Sequence, residues 1–218
     1  MYSQQLRHIL GQIEPTTRAH FRGVFAIDEL AQAACDPGSY VINLDRRDEP
    51  GSHWVAVYID PTTQHSTLSA SPSKHEPVPN IASRTQNLCS DVAVEYFDSY
   101  GKAATSPELI TFLSRCAAQQ AHQQRHFRLV HKEKSDTDHD TDTVGAKATA
   151  ITERRRVWHN TIGLQPTFTG SCGFYCVYFI IHRAKGQAAS DIVQLLSRID
   201  SHHYVKSYVL DRYSLSFH

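Results

Sequence analysis

The sequence predicts an α+β fold, with strands gathered in the middle of the chain and helices before and after them. Three observations carry this reading. Short, mostly apolar runs stand at Tyr40-Val41-Ile42-Asn43-Leu44, at His53-Trp54-Val55-Ala56-Val57-Tyr58-Ile59 and at Val92-Ala93-Val94-Glu95-Tyr96-Phe97. These runs suit strands, and the second, nearly all apolar, reads as central in the sheet. A longer apolar stretch, from Phe174 to Ile181, follows a Ser171-Cys172-Gly173 turn and ends near Gly186, which suits a buried helix with a glycine stop. Ile192, Leu195, Leu196 and Ile199 then recur at i, i+3, i+4 and i+7, the spacing of a single buried helix face.

Taken in order, residues 3–10 suit a short helix. Asp28 is placed to cap a helical turn running through Ala34. Asp36-Pro37-Gly38 reads as a turn before the first of the apolar strands, and residues 46–51 read as a loop. His53 stands at the very start of the second strand, at the rim of the sheet, where a side chain is both rigid and reachable. Residues 60–90, rich in Ser, Thr and Pro, suit loop plus one weak strand. Asp98 ends the third apolar strand before a Ser-Tyr-Gly turn. Pro107 opens a helix to about Gln123, in the first-turn position that proline favours. Residues 127–130 read as a fourth strand. Residues 132–153, polar and with Asp and Thr interleaved, predict a mobile insertion. Ser190 is placed to cap the second of the late helices, and a last helix is expected from His203 to Arg212, burying Val205, Tyr208 and Val209.

Length and composition narrow the function classes. A chain of 218 residues suits one domain spanning 1–218 with that single insertion. Lys+Arg and Asp+Glu are both 22, so bulk charge points to neither a nucleic-acid nor a membrane partner. The five cysteines, Cys35, Cys89, Cys116, Cys172 and Cys176, are odd in number and irregular in spacing. That argues against a disulfide framework and for a reducing, intracellular compartment. The amino-terminal residues carry no apolar signal core, and the apolar run at 176–181 is too short to span a bilayer. The 14 histidines form no metal-ligand spacing with cysteine, so no metal and no cofactor is expected.

The residues that carry chemistry are His53, Asp98, Gln165 and Cys172. A cysteine on a Ser-Cys-Gly turn at a helix start meets unpaired N–H groups that favour thiolate over thiol. His53 titrates near working pH and is fit to take and return a proton. Asp98 is the candidate to fix the imidazole tautomer and favour its charged form. The Gln165 amide and the Cys172 backbone N–H are candidate donors to an oxyanion. On the substrate side, Gly173 keeps bulk away from the attacked carbonyl, and Trp54 shields His53 and faces its cationic form. Taken singly, each residue has a plainer role as a surface histidine, a turn aspartate or a core cysteine. Their occurrence together, each with distinctive neighbours, indicates a cysteine protease.

Gly51-Ser52-His53-Trp54-Val55-Ala56, Tyr96-Phe97-Asp98-Ser99-Tyr100-Gly101, and Leu164-Gln165 with Ser171-Cys172-Gly173 resemble the adenovirus-type endopeptidases, of the clan that includes the SUMO/Ulp-type proteases. Phe21-Arg22-Gly23-Val24-Phe25-Ala26-Ile27-Asp28 and the stretch after Cys172 resemble proteases of virus-like DNA elements. The resemblance implies a papain-like site in permuted order. It implies a central mixed sheet packed by helices, with Cys172 at the amino end of the central helix. It implies an endopeptidase that cleaves viral structural precursors during particle maturation, in the host nucleus or virion. The family's activating peptide and DNA are possible partners. Where the adenoviral enzymes carry Glu, this chain carries Asp98, as the SUMO-protease branch does. Deconjugation of ubiquitin or SUMO is therefore the alternative.

Overall fold

The structure is a computed structural model and describes residues 1–60, 92–132 and 156–213. The expected weak strand within 60–90 falls, but for Asp60, outside these residues, and so does nearly all of the expected insertion at 132–153.

Helix α1 (Ser3–His8) runs into a wider π-helical turn at Ile9–Ile13, and a short α2 (Pro15–Arg18) follows. Five strands then form one sheet: β1 (Phe21–Ala26), β2 (Gly38–Asn43), β3 (Trp54–Ile59), β4 (Val92–Phe97) and β5 (Arg156–His159). They lie side by side in chain order. The two outer pairs are parallel, and β3 runs antiparallel to both of its neighbours. Helix α3 (Pro107–Lys132) links β4 towards β5, and α4 (Cys172–Ala184), α5 (Ala189–Leu196) and α6 (Ser201–Tyr213) complete the described chain.

The mostly apolar strands are explained by burial on both faces. Val41, Ala56, Tyr58 and Phe97 pack with α1, α4, α5 and α6 in one core, while Tyr40, Ile42, Val55, Val57, Ile59, Val94 and Tyr96 pack with α3 in a second. Strand side chains alternate between faces, so a strand covered twice has no polar face to show. Helix α4 lies against β3 and is pinned at two depths. The Phe179 ring stacks on Phe97 with centroids 4.4 Å apart. Near its far end Arg183 donates to Glu95 at 2.6 Å and covers the Tyr58 ring. Gly186, at φ +86°, takes the left-handed turn that stops the helix.

Several local expectations change. Residues 127–130 are helical rather than a strand, because α3 continues to Lys132. A short apolar run fits either period, and here the long helix begun at Pro107 carries it. Ser106 caps that helix, its hydroxyl accepting the Leu109 N–H at 3.2 Å. Asp28 lies inside a 3₁₀ turn (Ile27–Glu29) instead of capping a helix, and the Glu29 carboxylate accepts the Ala26 N–H at 2.8 Å. Ala188, not Ser190, precedes the first residue of α5. The buried face of α5 is Ala189, Ile192, Val193 and Leu196, with Leu195 and Ile199 turned to solvent. Helix α6 buries Val205 and Val209 as expected, while Tyr208 is only half-buried.

Candidate active site

Strand register alone brings the first two residues together. Ala56 pairs with Phe97 across the antiparallel β3–β4 ladder, so the residues preceding β3 face those following β4. His53 accordingly stacks against Tyr100, ring centroids 4.8 Å apart, and its Nε2 lies 2.8 Å from Asp98 Oδ1. Helix α4 supplies the third residue. Its amino end meets the start of β3, where the Trp54 backbone N–H donates to Cys172 Sγ at 3.4 Å. The Gly173 N–H and the His53 side chain also act on the sulfur to favour its thiolate. With Nε2 engaged by Asp98, Nδ1 is the imidazole nitrogen left for Cys172.

The charges follow from these contacts. Burial pushes the Cys172 thiol up, but His53, the Trp54 N–H and the Gly173 N–H outweigh it, and the net shift is downward. Burial pulls His53 down, yet the hydrogen bonds and charges of Asp98 and Cys172 prevail and raise it to about 9. The two shifts point the same way, towards a thiolate beside an imidazolium. Cys176, one turn further along α4 and fully buried, is pushed well up and stays a thiol.

Asp98 is itself held from several sides. Its Oδ1 also accepts the Tyr100 N–H at 2.7 Å, and burial together with its charge pushes the nearby Tyr96 hydroxyl up. Asn160 clamps its main chain, accepting the Asp98 N–H at 2.9 Å and donating to the Asp98 carbonyl at 2.6 Å. The turn closes on Gly101, at φ +71°, whose missing side chain leaves room for the backbone of Ile162 and Gly163.

Gln165 sits beside this turn. Its backbone N–H and that of Leu164 donate to the Ser99 carbonyl at 2.9 and 2.8 Å, and its Oε1 accepts the Ser99 hydroxyl at 2.7 Å. Its amide donates to the Tyr100 hydroxyl and to Thr169 Oγ1, each at 3.1 Å. Both amide hydrogens are therefore engaged, and one contact must be exchanged before Gln165 can serve an oxyanion. The Cys172 N–H lies in the first turn of α4, where no helix carbonyl reaches it.

Trp54 is partly buried against the core, and its indole N–H donates to the Met1 carbonyl at 3.2 Å. Gly173 is buried, and a Cβ there would stand 2.9 Å from Met1 Cβ. A cleft of about 610 Å³ opens from Cys172 past Trp54, Gly51 and Asn43. Among the described residues no three His, Cys, Asp or Glu side chains gather where a metal ion could be held.

Tyr96, the Tyr100 hydroxyl, Ser99 and Asn160 support the site without having been singled out from the sequence. The first three fall within a motif that drew notice for Asp98, whereas Asn160 has no pattern around it. Compared with known protein families, the chain matches no family model, and it matches no curated protein.

Proposed function

We propose that this chain is a thiol endopeptidase with a papain-like site in permuted order. The observation that carries the reading is the meeting of Cys172, His53 and Asp98, with the thiol shifted down and the imidazole shifted up. The Cys172 thiolate attacks a peptide carbonyl carbon, and its oxygen takes up the negative charge. The Cys172 N–H and a released Gln165 amide hydrogen donate to that oxygen. His53 passes its proton to the leaving amine as the C–N bond breaks, leaving a thioester on Cys172. A water molecule, deprotonated by His53, then attacks the thioester and frees the acid. Asp98 holds the imidazole for both proton transfers.

The resemblance in the segments around His53, Asp98, Gln165 and Cys172 supports structural precursor proteins of a virus or virus-like element as the substrate, cleaved inside an infected cell or particle. No described helix is long and apolar enough to cross a membrane.

The test is the rate of Cys172 alkylation against pH, beside His53→Ala, followed by cleavage of precursor peptides. Fast labelling well below pH 8, lost in His53→Ala, is expected; labelling no faster than at an ordinary thiol would overturn the ion pair. Cys172→Ala is expected to abolish cleavage and keep the fold, checked by circular dichroism. Turnover of SUMO or ubiquitin conjugates, with precursor peptides untouched, would move the substrate to the deconjugating class.

A further inference from the structure

The cleft beside Cys172 is lined in part by the chain's own first three residues, which none of the preceding chemistry uses. We propose that Met1 and Tyr2 form a built-in cover over the thiol, lying where a substrate main chain has to pass and swinging away to admit it.

Met1 bridges the two residues whose backbone N–H groups act on Cys172 Sγ. On one side its carbonyl accepts the Trp54 indole N–H at 3.2 Å. On the other its Cβ lies 2.9 Å, and its Sδ 3.5 Å, from where a side chain on Gly173 would begin. The methionine therefore fills the space that the absent Gly173 side chain leaves beside the nucleophile. A peptide carbonyl held by the Trp54 indole is also the group that a bound polypeptide would present there. The cover imitates substrate main chain and competes with it for one donor.

Its attachment suits a part that moves. Leu6 is fully buried and fixes α1 to the core. Ahead of it, Tyr2 is extended, and its side chain is 73% exposed. The Tyr2 N–H is satisfied locally by Gln5 Oε1 at 2.9 Å, so turning about Tyr2 breaks no contact with the rest of the molecule on its account. What holds the cover shut is one hydrogen bond to Trp54, the packing of one methionine side chain and the attraction between the Met1 amino group and Cys172. A contact of that size leaves a minor open population that a competing ligand enlarges.

The proposal rests on the protease reading only for the identity of the displacing molecule, and its test does not need cleavage. Iodoacetamide is the probe, with Cys172 labelling followed by peptide mapping at neutral pH. Three chains released from a removable amino-terminal fusion are compared: the full chain, the chain lacking residues 1 and 2, and Met1→Gly. Shortening is expected to speed Cys172 labelling about tenfold, as for a cover open roughly a tenth of the time. Met1→Gly, which keeps the carbonyl and loses the side chain, should fall between, with Cys176 unlabelled throughout. Unchanged or slower labelling in both variants overturns the cover. Where the shortened chain also labels at Cys176, its fold is loosened and Met1→Gly decides alone: faster supports the cover, unchanged overturns it. The protease reading fails on a separate result, labelling indifferent to His53→Ala.

Discussion

Two buried ionic clusters in this molecule make opposite use of similar parts. In one, Glu14, 1% exposed, accepts from Thr16 Oγ1 at 2.7 Å, from Arg212 Nε at 3.0 Å and from the Tyr213 hydroxyl. Burial would raise its carboxyl, but these donors prevail and hold it at about 2. The charge is one the residue already carries at neutral pH, its acceptor sites are taken, and the cluster simply ties α2 to the end of α6. In the other, Cys172 and His53 would both be neutral at pH 7 if kept apart, and each draws the other's charge into being. That cluster borders a cleft. A saturated buried charge fastens structure, whereas a mutually created pair beside open space is placed to react.

Asp98→Asn should produce the widest separation between the clusters. It keeps the acceptor for the Tyr100 N–H but weakens the hold on the imidazolium, so kcat is expected to fall by roughly 10²–10⁴ with KM little changed. A change confined to KM in steady-state assays would break the assignment.

Glu14→Gln should spare activity and cost roughly 2 kcal/mol of stability, read from urea midpoints, because Arg212 and Tyr213 lose hydrogen bonds to an anion. The same cluster sets an acid limit. A carboxyl lowered from 4.5 to about 2 contributes stability present above its unfolded value and lost as pH falls through about 2.

Within the second cluster, His53 has the opposite sign. His53, raised from 6.5 to about 9, contributes stability that is complete below 6.5 and lost as pH rises through about 9. The lowered Cys172 thiol contributes the opposite slope, so the pair's net effect on stability between 6.5 and 9 is small, and it is the cleavage rate that should fall as pH rises through about 9. Smallest of all, Tyr100→Phe removes the acceptor of one Gln165 hydrogen and keeps the ring on His53. It should alter stability by about 1 kcal/mol or less. An activity loss as large as that of Asp98→Asn would instead place the hydroxyl in the chemistry.

How much could be read beforehand follows from the range of each signal. Strands β2, β3 and β4 were legible because burial on both faces leaves predominantly apolar runs. Helix α4 was legible from its Gly186 stop and apolar length. His53, Asp98, Gln165 and Cys172 stood out through their immediate neighbours, and the structure brings His53, Asp98 and Cys172 into one contact network. Gln165 lies next to that network, with its amide already spoken for by Tyr100 and Thr169. Asn160 was invisible because its clamp on Asp98 spans 62 positions and depends on how β5 lies beside β4. Met1 was invisible for the same reason, since nothing near it in sequence refers to Gly173. The misread residues 127–130 and the exposed Leu195 show the limit of periodicity, which ranks faces but does not see what covers them.

The alternation of strand direction has a wider consequence. Because β3 leaves the thiol as β4 approaches it, the chain comes back into the sheet at Val92 on the pole remote from Cys172. Arg156 pairs with Val92 at that same pole, so the second re-entry point is there too. The molecule thus has a working pole and a re-entry pole. The chain re-enters the sheet at Val92 and Arg156 on the side away from His53, Asp98 and Cys172.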